Sequence, residues 1–350
     1  MRKRVCKHEM VGAEQTYRKQ YASSLGECSP ATKKNPRDLA AMVSMEEWVT
    51  YTNLRALLSN AGSTLYPGDF QGFTPFEIRN YIGLYMLQGL SPSPQVKQKF
   101  WPQLLDPING SDLCFKVFGK NTDKRHKMFK AFFTIQDPCK SIPPKSTHPN
   151  FKIDPFLHWI QTVSMAAWNL GRCFSCNEQT IGFKGNHADK QCISYKMEGD
   201  GFLADAISQD GYTYSFFFRN MPAPKKYVDQ KISPLHSRCL FLFDQFKDKY
   251  HVGGVDNLYT SAKFLREAYK GKNKVMLHGV AQKSGRGVPK SILQEEIKNV
   301  KQQMRVRGMT MAAVLTDNPE CPNLVAFSVY DTKPVHFLSM ACTGLKWIEK

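Results

Sequence analysis

At 350 residues, 42% of them hydrophobic and 12% aromatic, the chain reads as globular and is long enough for one large domain or two to three smaller ones. Its formal charge of +18 makes a polyanion the natural partner, because clustered lysines and arginines release counterions on meeting phosphates, although membrane surfaces and acidic proteins attract the same charge. No stretch approaches the ~20 consecutive apolar residues that span a bilayer, and the start MRKRVCKHEM has no apolar core behind its basic residues, so no membrane partner or secretion is expected and the address is cytosolic or nuclear.

Residues 1–42 are polar and rich in Lys, Arg, Ser and Thr, and they read as a basic, mostly disordered arm. The short run Arg2, Lys3, Arg4 with Lys7 suits DNA contact or nuclear import, and equally a solvated tail. From 43 to 170 the pattern is helical. Thr74-Pro75-Phe76-Glu77 has the form of a capping box, with Pro75 suited to the first helical position, and the predicted helix runs to Gly89 with Ile78, Ile82 and Tyr85 on one stripe. Helices are also predicted over Lys124–Thr134, with Phe129, Phe132 and Phe133 inward, and from Asp154-Pro155, where Phe156, Ile160, Val163 and Ala167 recur at helical spacing.

From 171 to 350 the period shortens to two. Strands are predicted at Cys173–Cys176, Ile181–Phe183, Cys192–Met197, Gly201–Ser208 and Tyr212–Phe218, with Gln209-Asp210-Gly211 turning a hairpin. The apolar run Cys239–Phe243 reads as a buried strand. Tyr250–Val255 and Lys274–Val280 read as strands around a helix at Thr260–Tyr269, and three more strands follow at Met311–Leu315, Leu324–Val329 and Val335–Met340. A sheet followed by strand, helix and strand is a mixed α/β layer. The ten cysteines are scattered, which suits a reducing compartment, and the lone pair Cys173 and Cys176 lacks the second ligand pair of a zinc site.

Metal-dependent phosphodiester cleavage takes two or three carboxylates, converging from separate elements to hold two cations ~4 Å apart. Two segments bear on that chemistry. In FSCNEQTIGFKG, Phe174–Gly185, a strand carries Asn177 and Glu178 and is followed by Gly182, Phe183, Lys184 and Gly185; in VGGVDNLYTSAKF, Val252–Phe264, Asp256 and Asn257 precede an aromatic residue, Thr260 and Ser261. Together with Glu47-Trp48, Thr52-Asn53, the helix Phe73–Leu90, Phe100-Trp101, the segment Asp123–Asp137, Gly287-Val288-Pro289-Lys290 and Thr332–Ser339, in this order, they make the chain from Val43 onward resemble the piggyBac family of cut-and-paste DNA transposases.

That resemblance implies an RNase H-like mixed sheet flanked by helices, preceded by an N-terminal helical region. It also implies hairpin-mediated excision and reintegration at TTAA targets, with three acidic residues and Mg²⁺. Carried over by position, Asn177 occupies the first acidic place and Asp256 the second, which makes Asp256 a vestigial metal ligand. The third acid and the family's cysteine-rich DNA-binding domain are expected downstream of Lys350, so the core 171–350 is expected to be truncated before the third acid.

An Asn at a ligand position removes a full negative charge beside a dication, and hard cations select anionic oxygens. Glu178 is expected to face away from Asp256, because successive strand side chains point to opposite faces. Asp205, Asp210, Asp244, Asp317 and Asp331 are further acidic candidates, with Asp244 the best placed, while Asp256 also suits a turn or helix cap. Lys184 and Arg286 are the preferred DNA contacts among Lys190, Lys196, Lys225, Lys226, Lys283, Lys290, Arg305 and Arg307. Three readings follow: a transposase-derived, inactive nuclear protein that keeps DNA affinity and forms a homodimer; a transposase or nuclease with residual metal-dependent strand cleavage; and a gene fragment without selected function.

Overall fold

The computed structural model describes residues 32–33, 45–59, 72–90, 122–183, 185–193, 199–282, 288, 307–308, 310–314 and 324–341. The chain divides into two compact units, one comprising 36–160 and the other 161–350 with 1–35. Among the described residues no helix is long and apolar enough to cross a membrane.

In the first unit, helices α1 (Glu46–Ser59), α2 (Pro75–Leu90) and α3 (Thr122–Phe132) surround an aromatic core. Phe129 and Ile78 are fully buried, and the Phe129 ring lies 4.0 Å from Tyr81 and 4.9 Å from Phe73. The capping box of α2 forms as its sequence demands. The Thr74 amide donates to Glu77 Oε2 at 2.9 Å and the Glu77 amide to Thr74 Oγ1 at 3.2 Å, so two amides at the helix start are satisfied reciprocally. Arg125 of α3 then grips the same carboxylate with Nε and Nη2, at 2.8 and 3.0 Å, and lies over the Phe73 ring. Burial would raise the Glu77 pKa, but the Arg125 and Thr74 hydrogen bonds outweigh it and hold the carboxyl below its ordinary value.

The second unit is built on a nine-stranded mixed sheet. In chain order the strands are β3 (Cys173–Gly182), β4 (Gln191–Cys192), β5 (Asp200–Gln209), β6 (Tyr212–Phe218), β7 (Val252–Val255), β8 (Met276–Ala281), β9 (Thr310–Val314), β10 (Val325–Tyr330) and β11 (Pro334–Ser339), while β1 (Thr32–Lys33) and β2 (Trp168–Asn169) pair separately. Strand β5 is antiparallel to both β3 and β6, whereas β7 and β8 run parallel to β3. The spatial order β6-β5-β3-β7-β8 is the RNase H-like arrangement: an antiparallel meander feeding two parallel strands. The β5–β6 hairpin turns on Asp210 and Gly211, both at positive φ (51° and 78°), as a tight two-residue turn between right-twisting strands requires.

The run Cys239–Phe243 is helix, not strand. After α4 (Asp154–Ala167) and the short α5 (Lys225–Val228), it lies in α6 (Pro234–Asp244), and a further helix, α7 (Ala262–Lys270), crosses over between β7 and β8. Five consecutive apolar residues do not distinguish a strand from a helix buried around most of its circumference, and Cys239, Leu240, Leu242 and Phe243 are all buried. The segments predicted as separate strands at Cys173–Cys176 and Ile181–Phe183 are one continuous β3 over Cys173–Gly182, and of the strand predicted at Cys192–Met197 only Cys192 is strand, Ile193 is not, and residues 194–197 lie outside the described set.

Candidate functional site

The parallel pairing of β3 with β7 sets Cys176 opposite Val255 as the last registered pair. One step further stand Asn177, in the middle of β3, and Asp256, just past the end of β7, so the register brings together the two positions singled out in the sequence. Both are exposed. The Asn177 side-chain oxygen accepts from the adjacent Glu178 amide at 2.8 Å.

Asp256 opens a turn. Its Oδ1 accepts from the Leu258 amide at 2.5 Å, while its carbonyl accepts from the Tyr259 and Thr260 amides and from Thr260 Oγ1 at 2.7 Å. Ser261 then caps α7 by accepting from the Phe264 amide at 3.2 Å. The turn rests against β8 at Gly279, where a Cβ would lie 2.2 Å from the Val255 carbonyl oxygen and 2.4 Å from Thr260 Oγ1; a side chain there would push the Asp256 turn away.

Glu178 points to the other face. Its Oε2 takes Arg219 Nη1 at 2.6 Å, and its registered partner on β5 is Asp205, which is fully buried. Asp205 accepts from Arg219 Nε (2.8 Å) and Tyr259 Oη (2.8 Å) on Oδ1 and from Arg238 Nε (2.6 Å) on Oδ2. The network ties β3, β5, the end of β6, α6 and the Asp256 turn into one charge-balanced unit. Burial opposes the Arg219 charge, but the Asp205 carboxylate outweighs it and lifts the guanidinium pKa above its ordinary value; burial, then the Asp205 charge, raises that of the Tyr259 hydroxyl. Neither arginine nor Tyr259 was anticipated as a partner. The signal available was a lone Asp inside an apolar strand, which a buried sheet tolerates only if cations reach it.

The other sequence candidates have separate places. Asp244 ends α6 rather than a strand, and its Oδ2 accepts from Tyr227 Oη at 2.5 Å and Lys226 Nζ at 2.8 Å; burial and that hydrogen bond push the Tyr227 pKa up to about 12. Asp210 occupies the hairpin turn, and Asp331 pairs with Arg307 at 2.5 Å. Lys190 pairs with Asp200. Asp317, Lys184, Lys196, Lys283, Arg286, Lys290 and Arg305 lie outside the described residues.

A family model described as Transposase IS4 matches residues 45–346. The chain belongs to the transposase IS4 family. Among curated proteins none matches it. A solved structure that it resembles is a piggyBac transposase synaptic complex with hairpin DNA, determined by cryo-EM, with a TM-score of 0.59 and 18% identity over 87% of this chain. The likeness extends the RNase H-like reading of the sheet to a transposase fold, and this chain spans 60% of that one.

Membership of the transposase IS4 family implies use of a divalent metal. Among the described residues no group of three His, Cys, Asp or Glu side chains converges, and the Asn177–Asp256 pair offers one carboxylate and one neutral carboxamide where hard dications select several anionic oxygens. The described donors do not fit a two-metal centre.

Proposed function

We propose that this transposase-family protein is catalytically inactive, binds divalent metal poorly, and retains affinity for DNA in the nucleus. The observation that carries the reading is Asn177 on β3, one step past the Cys176–Val255 pair and so beside Asp256. A carboxylate there would be the natural partner of Asp256 around a cation, and the carboxamide supplies no charge. Compensation by Glu178, on which residual strand cleavage would depend, is opposed by its engagement with Arg219 on the other face of the strand.

DNA as the partner is supported by the charge of +18 and by the DNA-bound state of the piggyBac transposase that shares the fold. A homodimer belongs to the same proposal, on the ground that this neighbour is a synaptic assembly. The test incubates the purified chain, and an Asn177→Asp variant beside it, with labelled duplex DNA and Mg²⁺ or Mn²⁺. Salt-dependent binding without metal-dependent nicking by either chain is expected. Nicking by the unmodified chain that disappears in Asp256→Ala would overturn the inactive reading.

A further inference from the structure

Five cysteines stand among the described residues, all of them free thiols; Cys139, Cys173 and Cys192 are exposed, whereas Cys176 and Cys239 are buried. The two buried ones meet. Cys176 on β3 and Cys239 on α6 are 63 positions apart in the chain, both are fully buried, and their sulfurs lie 3.6 Å apart, within reach of an S–H···S hydrogen bond. The pair sits at the centre of the unit: Asn177 follows Cys176 on β3, and Arg238, which precedes Cys239, donates to Asp205.

Two sulfurs in contact differ chemically from two thiols buried apart. Burial, and after it the hydrogen bond to Cys176, pushes the Cys239 thiol pKa up, so Cys239 stays protonated and slow towards thiol reagents in the folded chain. An isolated thiol of that kind only fills space. A partner 3.6 Å away changes the product of any oxidation that does reach the site, because the second sulfur is already in place to close on the first. Disulfide sulfurs stand about 2.05 Å apart, so closure asks for an approach of roughly 1.5 Å, shared between side-chain rotation and a slight shift of α6 on the sheet.

We propose that Cys176 and Cys239 are a redox-modifiable dithiol, oxidised by a small uncharged hydroperoxide to a disulfide that staples β3 to α6. In the first step one peroxide oxygen passes to one sulfur, giving a sulfenic acid and releasing an alcohol, or water when the oxidant is hydrogen peroxide. In the second the other thiol attacks that sulfur, the S–S bond forms, and the hydroxyl departs with the thiol proton as water. Two electrons pass from the sulfurs to the peroxide, and a dithiol reductant returns them by exchange. The oxidant is small and uncharged because both sulfurs are closed to solvent and are reached only when α6 loosens from the sheet. The cross-link closes a long loop and so constrains the unfolded chain, and it fixes the strand that carries Asn177 to the helix that carries Arg238.

The experiment treats the folded full chain with hydrogen peroxide, blocks the remaining thiols and maps cysteine peptides by mass spectrometry without reduction, beside melting curves of the same samples before and after dithiothreitol. The expected results are a linked peptide pair joining Cys176 to Cys239, a melting temperature higher than that of the reduced chain by about 5 °C or more, and its return on reduction. In Cys176→Ala the peroxide-dependent rise should vanish, which separates it from reactions at the exposed cysteines. The peptide map of the unmodified chain decides even where that variant folds poorly. No link between Cys176 and Cys239 once exposed Cys173 is fully oxidised would overturn the proposal, and so would a link that forms only in urea. A link that leaves the melting temperature unchanged would overturn the staple between β3 and α6.

Discussion

Asn177 and Glu178 are neighbours on one strand and stand in opposite electrostatic worlds. On one face Asn177 lies exposed beside Asp256, with a single described hydrogen bond to its own neighbour's amide. On the other, Glu178 and buried Asp205 meet Arg219, Arg238 and Tyr259 in a network of hydrogen bonds no longer than 2.9 Å. The difference separates scaffold from chemistry. A carboxylate lost from the open face costs the fold almost nothing, because water solvates what remains; a carboxylate lost from the closed face leaves two largely buried guanidinium groups short of their counter-charge. The fold can therefore tolerate an uncharged residue on the open face, while the charges on the closed face are needed for its stability.

The largest effect expected is at Asp205. Asp205→Ala leaves Arg219 and Arg238 facing one another without their shared counter-ion, and a loss of about 3–5 kcal/mol in unfolding free energy is predicted from urea denaturation. A loss below about 1 kcal/mol would dissolve the contrast between the two faces, since breaking a buried pair from one side is among the costliest single changes.

The sequence carried the outlines of this arrangement unevenly. Alternation along β5 and β6, the Asp210-Gly211 turn and the Thr74–Glu77 capping box were legible because each is a local rule with a local outcome. The positions of Asn177 and Asp256 were legible through family spacing, and their juxtaposition follows from parallel pairing, which no local pattern encodes. Helix α6 was misread although its start was written plainly: Ser233 accepts from the His236 amide and Pro234 takes the first turn, a cap outweighed in the reading by the apolar run that follows. The Asp205 network could not be assembled from sequence. Its members are separated by up to 81 positions, Glu178 to Tyr259, and meet only through sheet register and the docking of α6.

A smaller and more distributed effect concerns pH. Burial depresses the pKa of His236, His251 and His278 below the ordinary histidine value, so each binds a proton more readily unfolded than folded. The stability this represents is present above the unfolded pKa, about 6.5, and is lost as the pH falls through the folded values. Melting temperature should therefore drop on acidification from about pH 7 to about pH 5.5. His251, whose Nδ1 lies 2.8 Å from the Gly171 carbonyl, is the place to sharpen the point: His251→Gln should flatten the slope, and an unaltered slope would mean that other groups carry it.

Next in size is the Asp256 turn. Asp256→Ala removes one side-chain acceptor from the Leu258 amide but leaves the backbone bonds to Tyr259 and Thr260, so a cost of about 1 kcal/mol, comparable to the loss of a helix cap, is expected by denaturant titration.

The smallest change is the most discriminating, because it compares adjacent residues on one strand. Asn177→Ala should alter stability by no more than about 0.5 kcal/mol, as for an exposed position away from any network, whereas Glu178→Ala removes a charge-assisted partner of Arg219 and should cost about 1–2 kcal/mol. Asp205 still holds Arg219 in that variant, which is why the cost stays below that of Asp205→Ala. If Asn177→Ala proved the more damaging of the two, the carboxamide would be a structural element of β3 beside the Asp256 turn, and its presence there would reflect what the fold requires.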